Sequence, residues 1–450
     1  MSRRKSAKEN IAPPEQAYLV GVEWKEIPKG RYVPGDWPVE ESMVELARLA
    51  GTAGLEVVGS TTQRRQRPNP ATFIGSGKAE EIADELRSLQ ADVVVFDDEL
   101  APRHQRGLES IFGGDVKVID RTGLILDIFA QHARTREGAL QVELAQYQYR
   151  LPRLTQTWTE QALTRQAGGR AGGSTGGVGL RGPGETRLAM DRFVIRRRIA
   201  QIKRALEEIR TARSRQRQQR RREGLPTVAL VGYTNAGKST LLNALSGSSI
   251  YVANQLFATL DPTTRRVTLP GGAVILFTDT VGFIQKLPTD LIASFRATLE
   301  EVLEADLLVH VIDVSHPHAM DQVRTVYATL KEIGTDELPI INLLNKIDRF
   351  QDPEAACASL YSLPDSVAVS ALTGYGLENV LAEIETVLES DRRRVKVLLP
   401  FDRGDLVSLI HERGLIEVET HQSEGTYMET LVPDYLLSQL AEFATEPGEE

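Results

Sequence analysis

A phosphate-binding loop lies near the middle of the 450-residue sequence, in Val228-Ala229-Leu230-Val231-Gly232-Tyr233-Thr234-Asn235-Ala236-Gly237-Lys238-Ser239-Thr240. The apolar run before Gly232 predicts a strand, and the apolar pattern after Thr240 predicts a helix. A G-x-x-x-x-G-K-[ST] motif in this setting is typical of P-loop proteins, because its backbone N–H groups and the helix N-terminus bind phosphate. We therefore predict an α/β nucleotide-binding domain over residues 225–390.

Every residue of the motif is expected to line the nucleotide, namely Gly232, Tyr233, Thr234, Asn235, Ala236, Gly237, Lys238 and Ser239. Lys238 is expected to reach the β- and γ-phosphates, and the Ser239 hydroxyl to bind Mg²⁺. The motif alone fits many classes of NTPase, so the base must be identified elsewhere in the sequence.

A second motif predicts guanine as the base. Asn345-Lys346-Ile347-Asp348 follows an apolar run that predicts a buried strand. The Asp348 carboxylate can accept hydrogen bonds from the N1–H and 2-amino groups of guanine, whereas adenine has neither donor there and would leave it unpaired. Ser370-Ala371-Leu372 is expected to complete the base site, with the Ala371 N–H donating to guanine O6. The sequence therefore predicts GTP and GDP as ligands.

Two further stretches predict the γ-phosphate switches. Asp279-Thr280-Val281-Gly282 matches D-x-x-G, in which Asp279 holds Mg²⁺ through water and the Gly282 N–H binds the γ-phosphate. The other switch is predicted in Phe257-Ala258-Thr259-Leu260-Asp261, all of it lining the nucleotide. Thr259 or Thr263 would complete the Mg²⁺ shell. We favour Thr259, because the similar Obg-like GTPases place this threonine just after the phenylalanine.

The residue after the D-x-x-G glycine is Phe283, where many GTPases carry a glutamine that orients the attacking water. Phenylalanine cannot do this, so hydrolysis is expected to be slow or to need help in trans. We predict Lys238, Asn235 and Gly282 as the catalytic residues. Asn235 resembles the asparagine of potassium-activated GTPases, which predicts stimulation by K⁺; the alternative is no effect of K⁺.

The rest of the chain predicts an α/β multidomain protein. Residues 1–16 are predicted to be a disordered tail, and residues 17–120 alternate strand and helix patterns typical of a small parallel α/β domain. Residues 121–222 predict a helical arm with a glycine-rich loop at 167–184. After the nucleotide-binding domain, residues 395–446 predict a small C-terminal α+β domain.

The arm is strongly basic in an acidic protein. The net charge is −9, yet residues 165–222 hold 17 Arg and Lys against four acids, a net +13, so the rest sums to −22. Such a block attracts nucleic-acid phosphate. We predict RNA contact by Arg192, Arg196, Arg197 and Arg198; a solvated helix face or a disordered basic linker is the alternative.

Composition also excludes several classes of protein. Cys357 is the only cysteine, so neither an intramolecular disulfide nor a cysteine cluster for zinc is possible. No apolar run approaches the about 20 residues that span a bilayer, and the N-terminal residues do not resemble a secretory signal. These features predict a cytoplasmic protein that is not integral to a membrane.

Several stretches outside the motifs for phosphate and base resemble the HflX family of translation-associated GTPases. They are Ala71-Thr72-Phe73-Ile74-Gly75-Ser76-Gly77-Lys78, Val118-Ile119-Asp120-Arg121-Thr122, Ile128-Phe129-Ala130-Gln131-His132-Ala133, Glu137-Gly138 with Gln141-Val142-Glu143-Leu144-Ala145, Gly179-Leu180-Arg181-Gly182-Pro183-Gly184-Glu185-Thr186 and residues 278–283. The resemblance covers residues 17–440.

This resemblance implies a monomeric GTPase that binds the large ribosomal subunit and its rRNA through the basic arm. In its GTP form it would split stalled or hibernating ribosomes. One alternative is a GTP-gated RNA-binding or stress-signalling factor whose target is not the ribosome, and another is a non-catalytic RNA-binding module. Some family members are reported to bind ATP through the N-terminal domain; a tight turn is the alternative interpretation of Gly75-Ser76-Gly77-Lys78 here.

Overall fold

The computed structural model forms two compact units, residues 1–131 with 142–199 and residues 132–141 with 200–450, and we describe each separately. The residues that the structure describes are 13–25, 38–154, 183–222, 225–247, 256–257, 259–286, 301–335, 338–351, 363–390 and 392–445. The predicted tail at residues 1–16 and the glycine-rich loop at 167–184 lie almost wholly outside them.

The first unit contains a four-stranded parallel sheet with strand order β2-β1-β3-β4. Its strands are β1 (Gln16–Trp24), β2 (Glu56–Arg65), β3 (Val93–Phe96) and β4 (Lys117–Asp120). Its first four helices are α1 (Val39–Thr52), α2 (Ser76–Leu89), α3 (Pro102–Phe112) and α4 (Arg121–His132). Apolar side chains such as Val94, Phe96 and Ile82 are fully buried between the sheet and the helices. The predicted N-terminal α/β fold is confirmed.

Two long helices follow, α5 (Arg136–Arg150) and α6 (Pro183–Arg222). Glu143 forms an ion pair with Arg198, and Glu137 forms one with Arg213. The partners occur in reverse order along the chain, which is the order found between antiparallel helices. Along α6, Ile202 is buried, and Ile195, Ile199, Leu206 and Ile209 are half-buried.

The exposed side chains of α6 are not all basic, although the sequence predicts a strongly basic arm. Arg196 and Arg197 are exposed, but so are Met190, Phe193 and Val194 near the start of the helix, Phe193 to 61%. The helix therefore exposes both basic and apolar side chains.

The second unit contains a six-stranded sheet with strand order β10-β9-β8-β5-β7-β6, in which only β6 is antiparallel to its neighbour. Its strands are β5 (Thr227–Gly232), β6 (Thr263–Thr268), β7 (Val274–Asp279), β8 (Leu307–Asp313), β9 (Ile340–Asn345) and β10 (Ser366–Ala368). Its helices are α7 (Lys238–Ser246), α8 (Ala319–Ile333) and α9 (Leu377–Ser390). The predicted P-loop fold is confirmed. Because β5, β7 and β9 are parallel, the loops that follow them meet at one edge of the sheet.

The C-terminal residues form an antiparallel sheet with strand order β11-β13-β12. Its elements are β11 (Arg392–Leu399), α10 (Gly404–Arg413), β12 (Leu415–Gln422), β13 (Gly425–Pro433) and α11 (Asp434–Leu440). Val397, Ile410 and Met428 are fully buried in its core. The predicted small α+β fold is confirmed, whereas the exact domain borders stay predictions. In the described part of the chain, no helix has the length and apolarity needed to cross a bilayer.

Candidate nucleotide-binding site

The loop between β5 and α7 has the backbone of a phosphate cradle. Asn235 and Gly237 both have positive φ angles, 60° and 103°, and α7 begins at Lys238 directly after them. This conformation turns successive backbone N–H groups toward one point at a helix N-terminus, where the helix dipole favours an anion. The segment predicted to be a P-loop therefore has the backbone conformation of a P-loop.

Lys238 is buried at the base of the loop. Its Nζ donates to the carbonyl oxygens of Gly232 and Tyr233, at 3.0 Å and 2.9 Å. Burial lowers the pKa of Lys238 to about 8, an effect that the nearby carboxylate of Asp279 opposes. A buried ammonium that donates to two backbone carbonyls gains strongly from a phosphate, because the anion replaces the lost hydration.

Three oxygen-bearing side chains meet beside Lys238. Ser239 Oγ donates to Asp279 Oδ2 at 2.6 Å and lies 2.8 Å from Thr259 Oγ1. Burial raises the pKa of Asp279 above its usual range, although Lys238 and these hydroxyl contacts oppose the shift. Asp279 Oδ1 is buried and has no hydrogen-bond partner in the described part of the chain.

This cluster fits a magnesium ion. Mg²⁺ prefers hard oxygen ligands and keeps several waters, so two hydroxyls with a nearby carboxylate are a suitable donor set. A cation would satisfy the unpartnered oxygen of Asp279, which is costly to bury alone. The predicted metal ligands Ser239 and Thr259 are brought together here. Thr263, the alternative for the switch threonine, begins β6 and pairs in the sheet with Asp279.

The predicted γ-phosphate sensor lies against the phosphate loop. A Cβ atom on Gly282 would stand 2.9 Å from Thr234 Cα and 3.0 Å from Lys238 Nζ, so a side chain there would crowd the site. The next residue, Phe283, donates its N–H to the Gly232 carbonyl at 3.0 Å and accepts the Thr234 N–H at 2.8 Å. The D-x-x-G segment is thus held on the loop by backbone hydrogen bonds.

The Phe283 side chain is 2% exposed and packs in the core. The buried hydroxyl oxygen of Thr234 has no partner among the described residues. A buried aromatic ring cannot orient an attacking water, as the sequence predicted. Tyr233, whose hydroxyl accepts the Gln285 N–H at 2.8 Å, provides a further tie between the two segments.

The base motif is joined to the phosphate loop through one side chain. Asn345 Nδ2 donates to the Ala236 carbonyl at 2.8 Å, and Asn345 Oδ1 accepts the Ala371 N–H at 3.0 Å. Lys346 Nζ reaches the Asn235 carbonyl at 2.7 Å. The two predicted motifs, whose hydrogen-bonded residues Ala236 and Asn345 are 109 positions apart in sequence, therefore form one site.

The groups predicted to recognise guanine are accessible. Asp348 is exposed and accepts the Ser370 hydroxyl at 2.5 Å. Leu372 is 79% exposed, so its apolar side chain is accessible to a bound guanine ring. The Ala371 N–H, predicted to meet guanine O6, instead donates to Asn345 in this structure, so it would have to share or exchange that hydrogen bond.

Other residues predicted to line the nucleotide have structural partners. Thr280 is buried and its hydroxyl donates to the Leu230 carbonyl at 2.6 Å. Phe257, Leu260 and Ile347 are buried, and Val281 is half-buried. Ala258 lies outside the described residues.

The side chain of Asp261 is turned toward another element. Its carboxylate accepts the backbone N–H groups of Arg134 and Thr135, just before α5. No local sequence signal identifies this contact, because the partners are more than 120 residues apart.

Four family models match successive parts of the chain. They are the GTP-binding GTPase N-terminal region over residues 40–130, the GTP-binding GTPase middle region over 132–220, the 50S ribosome-binding GTPase over 227–346 and the HflX C-terminal domain over 359–432.

Among solved structures, the chain is similar to a GTP-binding protein from the hyperthermophilic archaeon Sulfolobus solfataricus in complex with GDP. The sequence identity is 23%, with 83% of this chain and 98% of that chain covered, and the TM-score is 0.41. A similarity at this level carries no argument about function.

Curated relatives are much closer in sequence. GTPase HflX of Caldanaerobacter subterraneus is 45% identical over 405 residues, 90% of each chain. GTPase HflX of Escherichia coli K12 is 43% identical over 413 residues, 92% of each chain. Identity of this degree over nearly the full length, with the four matching models in order, shows that the chain belongs to the HflX family of GTPases.

Proposed function

We propose that this chain is a GTP-driven factor for the large ribosomal subunit, which binds in its GTP form, splits stalled or hibernating ribosomes and hydrolyses GTP for release. The observation that carries the nucleotide half is the meeting of Lys238, the Ser239–Asp279–Thr259 cluster and the base motif at one sheet edge. The ribosomal half rests on the family and on the basic face of α6.

Each group of site residues has a separate role in this proposal. The phosphate loop and Lys238 bind the β- and γ-phosphates, and Ser239 and Thr259 hold Mg²⁺, which neutralises phosphate charge when bound. The Gly282 N–H donates a hydrogen bond to the γ-phosphate and loses it when GTP is hydrolysed. Asp348 selects guanine over adenine by accepting hydrogen bonds that adenine cannot donate.

Phe283 makes GTP hydrolysis depend on the ribosomal partner. With no side chain at this position to orient water, the chain needs the ribosome to supply or arrange a polar group. Asn235, exposed at the rim of the loop, supports a role for K⁺ near the phosphates. Hydrolysis that is no faster in K⁺ than in Na⁺ at equal ionic strength would remove this part of the proposal.

The arm supports contact with rRNA. Arg196 and Arg197 are exposed on α6, and arginines at such positions bind phosphate without reading sequence. A cytoplasmic, monomeric factor is consistent with this target, and both properties stay predictions.

The decisive experiment pellets the protein with purified large ribosomal subunits in GDP, GTP or a non-hydrolysable GTP analogue. We expect retention with the analogue and little with GDP. The double variant Arg196→Glu with Arg197→Glu should weaken retention by more than about tenfold, because each lost phosphate contact weakens binding and its dependence on salt. Intact ribosomes on a density gradient then report splitting.

A matched control carries the same charge change on α8. Arg324→Glu with Lys331→Glu should leave retention close to that of the unmodified chain. Equal retention in every nucleotide state, or none, would favour a GTP-gated RNA-binding or stress-signalling factor with another target. Retention without splitting would limit the function to ribosome binding.

A further inference from the structure

The Asp261 carboxylate forms a dense set of contacts with residues 134–138, which we name the α5 cap. Asp261 Oδ2 accepts the N–H groups of Arg134 and Thr135, each at 2.8 Å. Asp261 Oδ1 accepts the Thr135 hydroxyl. One carboxylate thus receives three hydrogen bonds, all from the residues that precede α5.

The α5 cap is built to receive this carboxylate. Thr135 Oγ1 accepts the Gly138 N–H at 3.0 Å, so Thr135 caps the helix while donating to Asp261. A Cβ on Gly138 would stand 2.2 Å from Asp261 Oδ1, so a larger residue would displace the carboxylate. A negative charge at this helix N-terminus is also favoured by the helix dipole.

The same helical turn is tied to a second place in the nucleotide domain. Glu137 pairs with Arg213 of α6 at 2.9 Å, and Arg213 lies 3.6 Å from Glu301. Glu301 belongs to the helical turn at residues 301–303, which follows the D-x-x-G segment in sequence. The cap therefore contacts the first predicted switch at Asp261, and through Arg213 it is linked to Glu301, which follows the second switch in sequence.

Asp261 lies two residues beyond Thr259, whose hydroxyl is 2.8 Å from Ser239 Oγ in the candidate Mg²⁺ site. Anchoring Asp261 restricts where Thr259 can lie. We propose that the α5 cap is a positioning element for the nucleotide switch: it holds Asp261, and through it Thr259, in the arrangement that binds Mg²⁺ with GTP.

This inference rests on the proposed function and extends it to regulation. Coupling between two sites is reciprocal, so GTP with Mg²⁺ stabilises the capped start of α5, and an intact cap favours the GTP form. GDP does not need the switch threonine, because only the γ-phosphate and its metal order that switch. The cap should therefore affect the two nucleotides differently.

The test compares dissociation constants for a non-hydrolysable GTP analogue and for GDP, both with Mg²⁺, in the full chain. Asp261→Asn keeps the shape but loses the charge and turns an N–H₂ toward a donor. We expect the GTP-analogue Kd to rise about fivefold, reflecting loss of a charge-assisted hydrogen bond that is partly exposed, while GDP changes less than about twofold. The Mg²⁺ concentration for half-maximal analogue binding should rise in parallel.

Variants on the helix side separate positioning from simple stability. Thr135→Val and Gly138→Ala should reproduce the effect although no residue of the switch is substituted, and Thr135→Ser, which keeps the hydroxyl, should give a normal ratio of the two dissociation constants. The control Gly51→Ala adds a methyl group in α1 that would meet nothing within 4 Å among the described residues beyond its own helix, and it should leave both dissociation constants unchanged.

An unchanged ratio of the two dissociation constants in both Asp261→Asn and Thr135→Val would overturn the proposal. An equal weakening of both nucleotides would also overturn it, since the cap would then be structural. If the unmodified chain bound neither nucleotide, the proposed function itself would fail, so the two failures are distinguishable.

Discussion

The parallel N-terminal sheet and the mostly parallel sheet of the nucleotide domain differ in how the charged side chains at the carboxyl ends of their strands are paired. In the nucleotide domain, the carboxyl ends of β5 and β7 lead to the buried Lys238 and to Asp279, whose Oδ1 has no hydrogen-bond partner among the described residues. In the N-terminal sheet, the carboxyl ends of β3 and β4 lead to Asp97 and Arg121, which are paired with each other at 2.8 Å.

At this edge of the N-terminal sheet, the charged side chains are paired with one another. The buried guanidinium of Arg121 also binds Glu45, and Asp97 accepts the Ser42 hydroxyl at 2.7 Å. A parallel sheet places ligands at this edge only if its charged groups are left for the ligand. The difference teaches that the partners of edge residues, rather than the fold, distinguish a binding site from a structural ion cluster.

The largest expected effect comes from removing the arginine of the buried ion cluster in the N-terminal sheet. Arg121→Met removes the buried cation that pairs with the Asp97 and Glu45 carboxylates, which should lower the free energy of unfolding by about 3–5 kcal/mol. GDP affinity of the protein that remains folded should stay within about twofold. Denaturant unfolding and GDP titration measure the two quantities.

Arg64→Met is the control, because Arg64 forms an exposed ion pair with Glu23 and such pairs contribute little to stability. If Arg121→Met weakened GDP binding as strongly as it lowered stability, the comparison between a structural edge and a binding edge would not hold.

The next largest effect concerns base recognition at the nucleotide site. Asp348→Asn should weaken GDP binding by about 2–3 kcal/mol, since a donor then faces the guanine N–H groups. Stability should hardly change, because Asp348 is exposed. Xanthosine diphosphate, which carries an oxygen in place of the 2-amino group, should bind this variant better than GDP does. The opposite preference would place base recognition elsewhere.

The smallest effect is a pH dependence. Burial lowers the pKa of Lys238 to about 8, so the unliganded protein loses this charge as pH rises through that value. Phosphate binding needs the ammonium form, so GDP affinity is nearly complete at pH 7 and falls as the pH rises through about 8. We expect about fourfold weaker binding at pH 8.5 than at pH 7. Guanosine, which has no phosphate, should show no such loss; a parallel loss would assign the effect to the base site.

The sequence predicted the parts of the site that local chemistry determines. The phosphate loop, the D-x-x-G segment and the base motif each combine a buried strand with special residues directly after it, and such patterns are readable within about ten residues. Strand and helix alternation likewise predicted both α/β sheets, because periodicity is local.

Long-range partners could not be predicted in this way. Nothing near Asp261 indicates that its carboxylate binds the start of α5, and nothing near Arg121 indicates burial, since arginine usually lies at the surface. The exposed Phe193 and Val194 also escaped notice within a helix that the arginine count dominated. In each example the environment is set by segments distant in the chain.

Asn345 has a consequence for how the specificity of this protein can change. Its amide donates to the phosphate loop and accepts from the base loop, so one side chain sets the spacing between both halves of the pocket. A change at Asn345 would alter recognition of the phosphates and of the base together. Evolution or design toward another nucleotide must therefore proceed through neighbours such as Asp348 and leave this amide in place.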